Sequence, residues 1–366
     1  VALAAAKLLP PSTDPCGRLV YGVPTPENYN MAVGKVDYQF TAQHSLCGRD
    51  LYDRGALNQP NRWDTDKTNF LNSNVLKQTA TEQAFTLGDT YLLGSNTVNS
   101  ARVAFNRGFS FRSQHPDLPS WPKLGAKMYG YPDPSYVGLA VTGGVTLQTG
   151  AGGGAGNFKQ VINTYGANDD VSWVHGTHQA AFGVSLLRMT EVNTVQSIPQ
   201  GGASFNGSIL GLGYADFLTG NAATFVQNNP TTHNNSQWFF AAYASDTWKA
   251  TRKLTLSYGV RWEPFFPVEF TDGTTYLLDL VKLRQGVKTK QYTNAPPGVF
   301  YSGDPGVGKN SAQNTQWGSI SPRVGLAWDV TGDGRTSIRA AYGMFNDFVP
   351  LIAQFGSNNI PPFSPR

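Results

Sequence analysis

Between Leu254 and Glu263 apolar and polar side chains alternate without a break. Leu254, Leu256, Tyr258, Val260 and Trp262 fall on one face of an extended chain, and Thr255, Ser257, Gly259, Arg261 and Glu263 fall on the other. Period two predicts a strand, and about ten residues suffice for a tilted strand to cross a hydrocarbon layer. The charged link Lys249 to Lys253 joins it to an earlier apolar run, QWFFAAYA. Four further units share this plan. MAVGKVDYQF from Met31 is followed by the link TAQH and by SLCGRDLYDRG. TEQAFTLGDTYLL and VNSARVAFNRGFSF meet at Gly94 to Thr97, and FKQVINTYGANDDVSWV and QAAFGVSLLR meet at His175 to His178. SPRVGLAWD and TSIRAAYGMF are joined by TGDGR, with Val324, Leu326 and Trp328 on the apolar face.

Long polar stretches rich in Pro, Gly and Asn separate these hairpins, at about 56–80, 114–158, 193–236 and 267–316. In the third, Tyr214 to Leu218 reads as one or two helical turns. A soluble sandwich has no reason to alternate short and long connections so regularly. A barrel in an outer membrane does, with short periplasmic turns and long outer loops. The fold class expected is therefore all-β, an antiparallel transmembrane β-barrel of which about ten strands are present. Turn parity places residues 1–30 in an outer loop, 31–348 in the partial barrel and 349–366 in a second outer loop. It also requires further strands in a longer parent chain, because unpaired sheet edges are not tolerated in lipid.

Composition fits this reading. Charged residues make up 14% of the chain, against roughly a quarter in soluble domains. No run approaches 18 apolar residues, so spanning helices are not expected. The mean hydropathy of -0.30 is compatible with a barrel, since alternation hides the apolar face from a window average. The net charge of +4 is spread along the chain, giving no footprint for nucleic acid. Cys16 and Cys47 are too few for a disulfide scaffold. VALAAAKLLP lacks the pattern of a signal peptide, and the chain reads as an excised fragment.

The blocks NYNMAVGKVDYQFTAQHSL, DDVSWVHGTHQAAFG, GYADFLTG, YASDTWKATRKLTLSYGVRWEP and SPRVGLAWDVTGDGRTSIRAAYGMFND, in this order, resemble the barrel of Oar-like TonB-dependent receptors. The resemblance implies a barrel of about 22 strands with a plugged lumen. It also implies a plug domain of the same parent chain, energy from the TonB complex through N-terminal parts not present here, and a location in the bacterial outer membrane.

Site-like motifs are weak. GDPGVGKN nearly matches a phosphate-binding loop, but Asn310 stands where a hydroxyl is needed and no helix follows. DVTGDGR imitates the start of a calcium loop and lacks its closing acid, so a tight turn explains it better. His175 and His178 have no obvious acidic or thiolate partner in sequence. No catalytic set, metal centre or cofactor motif stands out, so no enzyme is expected. In the loops, Trp121, Tyr129, Tyr131 and Tyr136 could stack on a glycan or aromatic ligand, or could pack the loops together. Arg102, Arg261, Glu263, Arg323 and Arg339, with Asp37 and Asp329, fall on the polar, lumen-facing sides of their strands, where pairing across strands or contact with the plug is expected. Leu254, Leu256, Tyr258, Val260, Trp262, Val324, Leu326 and Trp328 fall on the lipid-facing side.

The function expected is a receptor and transporter that binds a bulky extracellular ligand of unknown identity and passes it across the outer membrane. A passive porin or secretion barrel, or a secreted β-rich carbohydrate-binding protein, would share much of this pattern.

Overall fold

A computed structural model describes residues 1–7, 11–18, 26–58, 77–113, 120–131, 137–147, 158–195, 200–228 and 231–348. Ten strands form one antiparallel wall in chain order. They are β1 Glu27–Thr41, β2 His44–Asn58, β3 Lys77–Leu93, β4 Thr97–Ser113, β5 Phe158–His175, β6 His178–Val195, β7 Thr231–Trp248, β8 Leu254–Trp262, β9 Ile320–Asp329 and β10 Ser337–Gly343. Each pairs with its sequence neighbours, and the sheet is open, with β1 and β10 at its edges. Five hairpins with short turns alternate with four long connections, as the alternation predicted.

The strands run farther than the apolar pattern does. β1 begins at Glu27 rather than Met31, and β7 begins at Thr231 instead of near Gln237. The first seven have 15 to 18 residues, although about ten would span a bilayer. The added residues, at the ends away from the short turns, are mostly polar, among them Asn28, Asn30, Thr231, Thr232, Asn234 and Asn235. Their backbone groups continue the ladder, so pairing persists where the reason for apolar alternation has ended.

Register makes the apolar face continuous. Leu256 lies opposite Leu326 and Trp248, and Leu326 lies opposite Ala340. Val103 lies between Leu87 and Ala167. This face is not uniformly apolar, which the sequence reading did not anticipate. Near the short turns it carries Asp89, Asp169 and Asp246, hydrogen-bonded to His44, Asn99 and His178 respectively. Toward the far ends it carries Arg107, which donates to Asn163, and Arg188, which donates to Ser236 and lies 4.8 Å over Trp238. Asp50, level with Phe85, breaks the band between these rows.

On the opposite face the small residues are required by the packing. A Cβ on Gly259 would sit 2.9 Å from the carbonyl oxygen of Ala244, so strands β7 and β8 approach too closely there for any larger residue. Beyond Trp262 the chain leaves the ladder and returns at Glu269–Phe270, which pairs with Ser236 and Asn235 of β7.

Candidate functional site

The long connections that follow β4 and β6, together with the helix Ala2–Ala6, build a small folded unit. Gly138–Val141 runs parallel to Gly202–Phe205, and Thr146–Leu147 and Thr224–Val226 complete a four-stranded sheet. Helices Ala2–Ala6 and Gly213–Thr219 cover it. Its core contains Ala2, Ala5, Trp121, Leu124, Val137, Leu139, Val141, Ala203, Phe205 and Phe217. These loops are thus packed by apolar burial rather than extended separately into solvent.

The segment GLGYADFLTG shows why the sequence folds this way. Gly213 touches backbone, since a Cβ there would lie 2.7 Å from the carbonyl oxygen of Thr142. Asp216 is fully buried, and its carboxylate accepts from the Leu210 and Ile209 amides at 2.8 and 3.4 Å, closing the turn before the helix. Gly220 caps the helix at φ 81 in the left-handed region. The helix observed, Gly213–Thr219, agrees with the one or two turns expected around Tyr214 to Leu218. Phe217 enters the core while Leu212, Tyr214 and Leu218 remain exposed.

Of the four aromatic residues singled out in the sequence, the three that are described differ in their surroundings. Trp121 is 4% exposed and donates its indole N–H to the Gly201 carbonyl at 3.1 Å, so it packs the loops together. Tyr129 is 66% exposed. Tyr131 is half-buried, with its carbonyl accepting from Gln200 at 2.6 Å. Tyr136 lies outside the described residues.

Arg102, Arg261, Arg323 and Arg339 lie on the polar face, opposite Gly88, Tyr243, Gly259 and Ala327 respectively. Arg261 pairs with Glu263 at 2.7 Å, and the Arg323 guanidinium lies 4.7 Å from the centre of the Phe345 ring. Asp37 pairs with Lys35 at 2.8 Å. Farther along this face Asp170 accepts from Tyr243 at 2.7 Å. Leu254, Leu256, Tyr258, Val260, Trp262, Val324, Leu326 and Trp328 share the apolar face; Tyr258 also donates to Asp246 at 2.7 Å.

The weak motifs resolve into local structure. The Asp329 carboxylate accepts from the amides of Gly332 and Gly334 at 2.8 and 3.0 Å, closing the turn between β9 and β10 on itself. His178 has an acidic partner after all: Asp246, from the neighbouring strand, lies 2.6 Å from Nδ1. Strand register brings together two residues 68 apart in sequence, which spacing alone could not reveal. His175 stacks on Trp173 instead. Cys16 and Cys47 are both free thiols.

In GDPGVGKN the centre is occupied by Asp304. This carboxylate is 3% exposed and accepts from the amides of Tyr301 and Lys290 at 2.9 and 3.1 Å, and from the Thr289 hydroxyl. Burial alone would raise its pKa, yet these donors outweigh it and hold the carboxyl below its ordinary range. A carboxylate depressed on folding stabilises the fold above its unfolded pKa and loses that contribution as pH falls through the folded value. The contacts of Tyr292 and Tyr301, whose rings are 4.6 Å apart, should therefore loosen only in acid, starting below about pH 4. Near-ultraviolet circular dichroism of wild type and Asp304→Asn checks this: the variant should lack the acid step at this site, and identical acid profiles would rule it out.

A family model described as an outer membrane beta barrel domain matches residues 1–366. No curated protein matches the chain. Among solved structures, the outer membrane transporter YddB from Escherichia coli is similar at 12% identity and TM-score 0.44, over 87% of this chain and 32% of that one. The ferric-catecholate import receptor Fiu from E. coli K12 is similar at 12% identity and TM-score 0.47, over 87% and 43%. FpvA of P. aeruginosa, in complex with a heterologous pyoverdine, is similar at 10% identity and TM-score 0.48, over 87% and 35%. The chain spans less than half the length of each of these three.

Proposed function

The chain belongs to the outer membrane beta barrel domain family, and from that premise we propose that it is part of the wall and outer loops of an Oar-like TonB-dependent receptor. It resides in the bacterial outer membrane. In this reading the apolar face meets lipid, the face bearing Arg102, Arg261, Arg323 and Arg339 lines a lumen holding the plug domain of the parent chain, and the residues before β1 and residues 349–366 belong to outer loops. The receptor binds a bulky extracellular ligand and moves it across the outer membrane with energy from the TonB complex, without catalysing a reaction.

The observation that carries the reading is the folded unit built from the loops after β4 and β6. A passive pore needs no packed core in its outer loops, whereas a receptor needs a rigid surface that orders contact groups before the ligand arrives. Among the three of these rings that are described, Tyr129 is the exposed one and best fits contact with a carbohydrate or aromatic ligand. The secreted-protein alternative is dropped, because the family is one of membrane barrels.

Liposome swelling tests the proposal. The full-length protein containing this chain is reconstituted and exposed to arabinose. A plugged receptor passes no sugar, and deletion of its plug opens the pathway. Swelling by the intact protein at the rate of the deletion variant would establish a passive porin instead.

A further inference from the structure

Among the described residues, the polar face of the wall buries one carboxylate that forms no ion pair with Lys or Arg. Glu191 of β6 is 1% exposed. Its partners among the described residues are three amides: Gln160 Nε2 donates to Oε1 at 2.5 Å, Asn193 Nδ2 to Oε1 at 3.2 Å and Asn235 Nδ2 to Oε2 at 3.3 Å. Register explains the convergence. Gln160 lies opposite Asn193, Asn235 lies opposite Glu191, and Glu191 and Asn193 are two apart on one strand, so three adjacent strands aim their side chains at one point.

A second observation concerns the other ends of these amides. Asn193 and Asn235 are 1% and 3% exposed, and the Oδ1 of each is buried with no hydrogen-bond partner. The interior thus holds a carboxylate that forms no ion pair with Lys or Arg among the described residues, with the buried His233 imidazole within electrostatic reach, together with two carbonyl oxygens that lack hydrogen-bond partners. Each half is unfavourable when buried. A half-turn of each amide about its terminal bond exchanges N–H₂ for oxygen within the same space. The carboxylate and the amide oxygens then form an all-oxygen set around one centre. Val268 and Phe270 pack on Met189, two residues before Glu191.

We propose that Glu191, Asn193, Asn235 and Gln160 are the protein ligands of a calcium ion at the outer end of the wall. Hard oxygen ligands, one carboxylate able to bind through both atoms, and adaptable amides suit Ca²⁺ better than Mg²⁺, which demands a stricter octahedron, or Zn²⁺, which favours nitrogen and sulfur. The ion neutralises Glu191 and joins β5, β6 and β7 beside the point where Glu269–Phe270 returns to the sheet.

The test uses the full-length protein in detergent micelles, stripped with a chelator and titrated with CaCl₂ by calorimetry. Wild type should bind one more Ca²⁺ than Glu191→Gln, with Mg²⁺ failing to compete at equal concentration. Equal stoichiometry in the two proteins overturns the proposal, as does Mg²⁺ competing equally. Asn193→Asp adds a charged ligand in the same volume and keeps the test open if the first variant fails to fold. It should bind Ca²⁺ at least about tenfold more tightly, since affinity at such sites follows ligand charge, and unchanged affinity also overturns the site. The readout is ion binding, so it is independent of whether the receptor transports.

Discussion

Replacing Trp121 by alanine is expected to melt the folded loop unit while leaving the ten-stranded wall intact. Trp121 is 4% exposed in the core that joins the helix Ala2–Ala6 to the small sheet, and its N–H is satisfied by the Gly201 carbonyl. Truncating a buried tryptophan costs about 3–5 kcal/mol. A unit whose core has so few buried apolar residues has little stability beyond that. Hydrogen exchange should show rapid exchange at Val141 and Phe205, whose segments are held by backbone bonds within the unit, with β3 and β4 unchanged. Slow exchange retained at both positions would mean that Trp121 is dispensable. A ligand that needs this unit should bind Trp121→Ala poorly even where Trp121 never touches it, whereas Tyr129→Ala should affect binding without unfolding anything.

The second large effect is expected from a charge on the apolar face of the wall. Val103 is 50% exposed and flanked by Leu87 and Ala167. It lies between the row of Asp89 and Asp169 and the row of Arg107 and Arg188. Val103→Arg should cost about 2–4 kcal/mol if that band meets the middle of the bilayer. Asn106→Arg, on the opposite face of the same strand, should cost little. Urea unfolding of the full-length protein in lipid vesicles measures both, and equal costs would show that the two faces share one environment. Arg107 and Arg188 show that this face carries arginine at the far end of the band. Depth should therefore decide the penalty.

How much of this was legible in the sequence depends on the range of the interactions. Side-chain alternation is local, since successive residues must point to opposite faces. The ten strands, five short turns and the faces of Arg261 and Leu256 could therefore be read from residues in order. The segment around Tyr214 to Leu218 also announced its helix, because Gly220 as a cap acts over a few residues. Strand ends were misread where the apolar pattern stopped before the backbone ladder did, as at Glu27 and Thr231.

What the sequence could not reveal are contacts between residues distant along the chain. Asp246 meets His178 because β6 and β7 pair in one register; a shift by a single residue would place them on opposite faces. Glu191 gathers amides from two other strands in the same way. Trp121 looked like a loop aromatic free for a ligand or for packing. The tertiary structure decided for packing by bringing Val137, Phe205 and Phe217 around the same core. Alternation by itself determined a membrane-type wall and its two faces, because that information repeats every two residues. Only the tertiary structure decided which polar groups are buried together and which loop rings remain exposed, because burial is a property of neighbours that the chain brings together by folding.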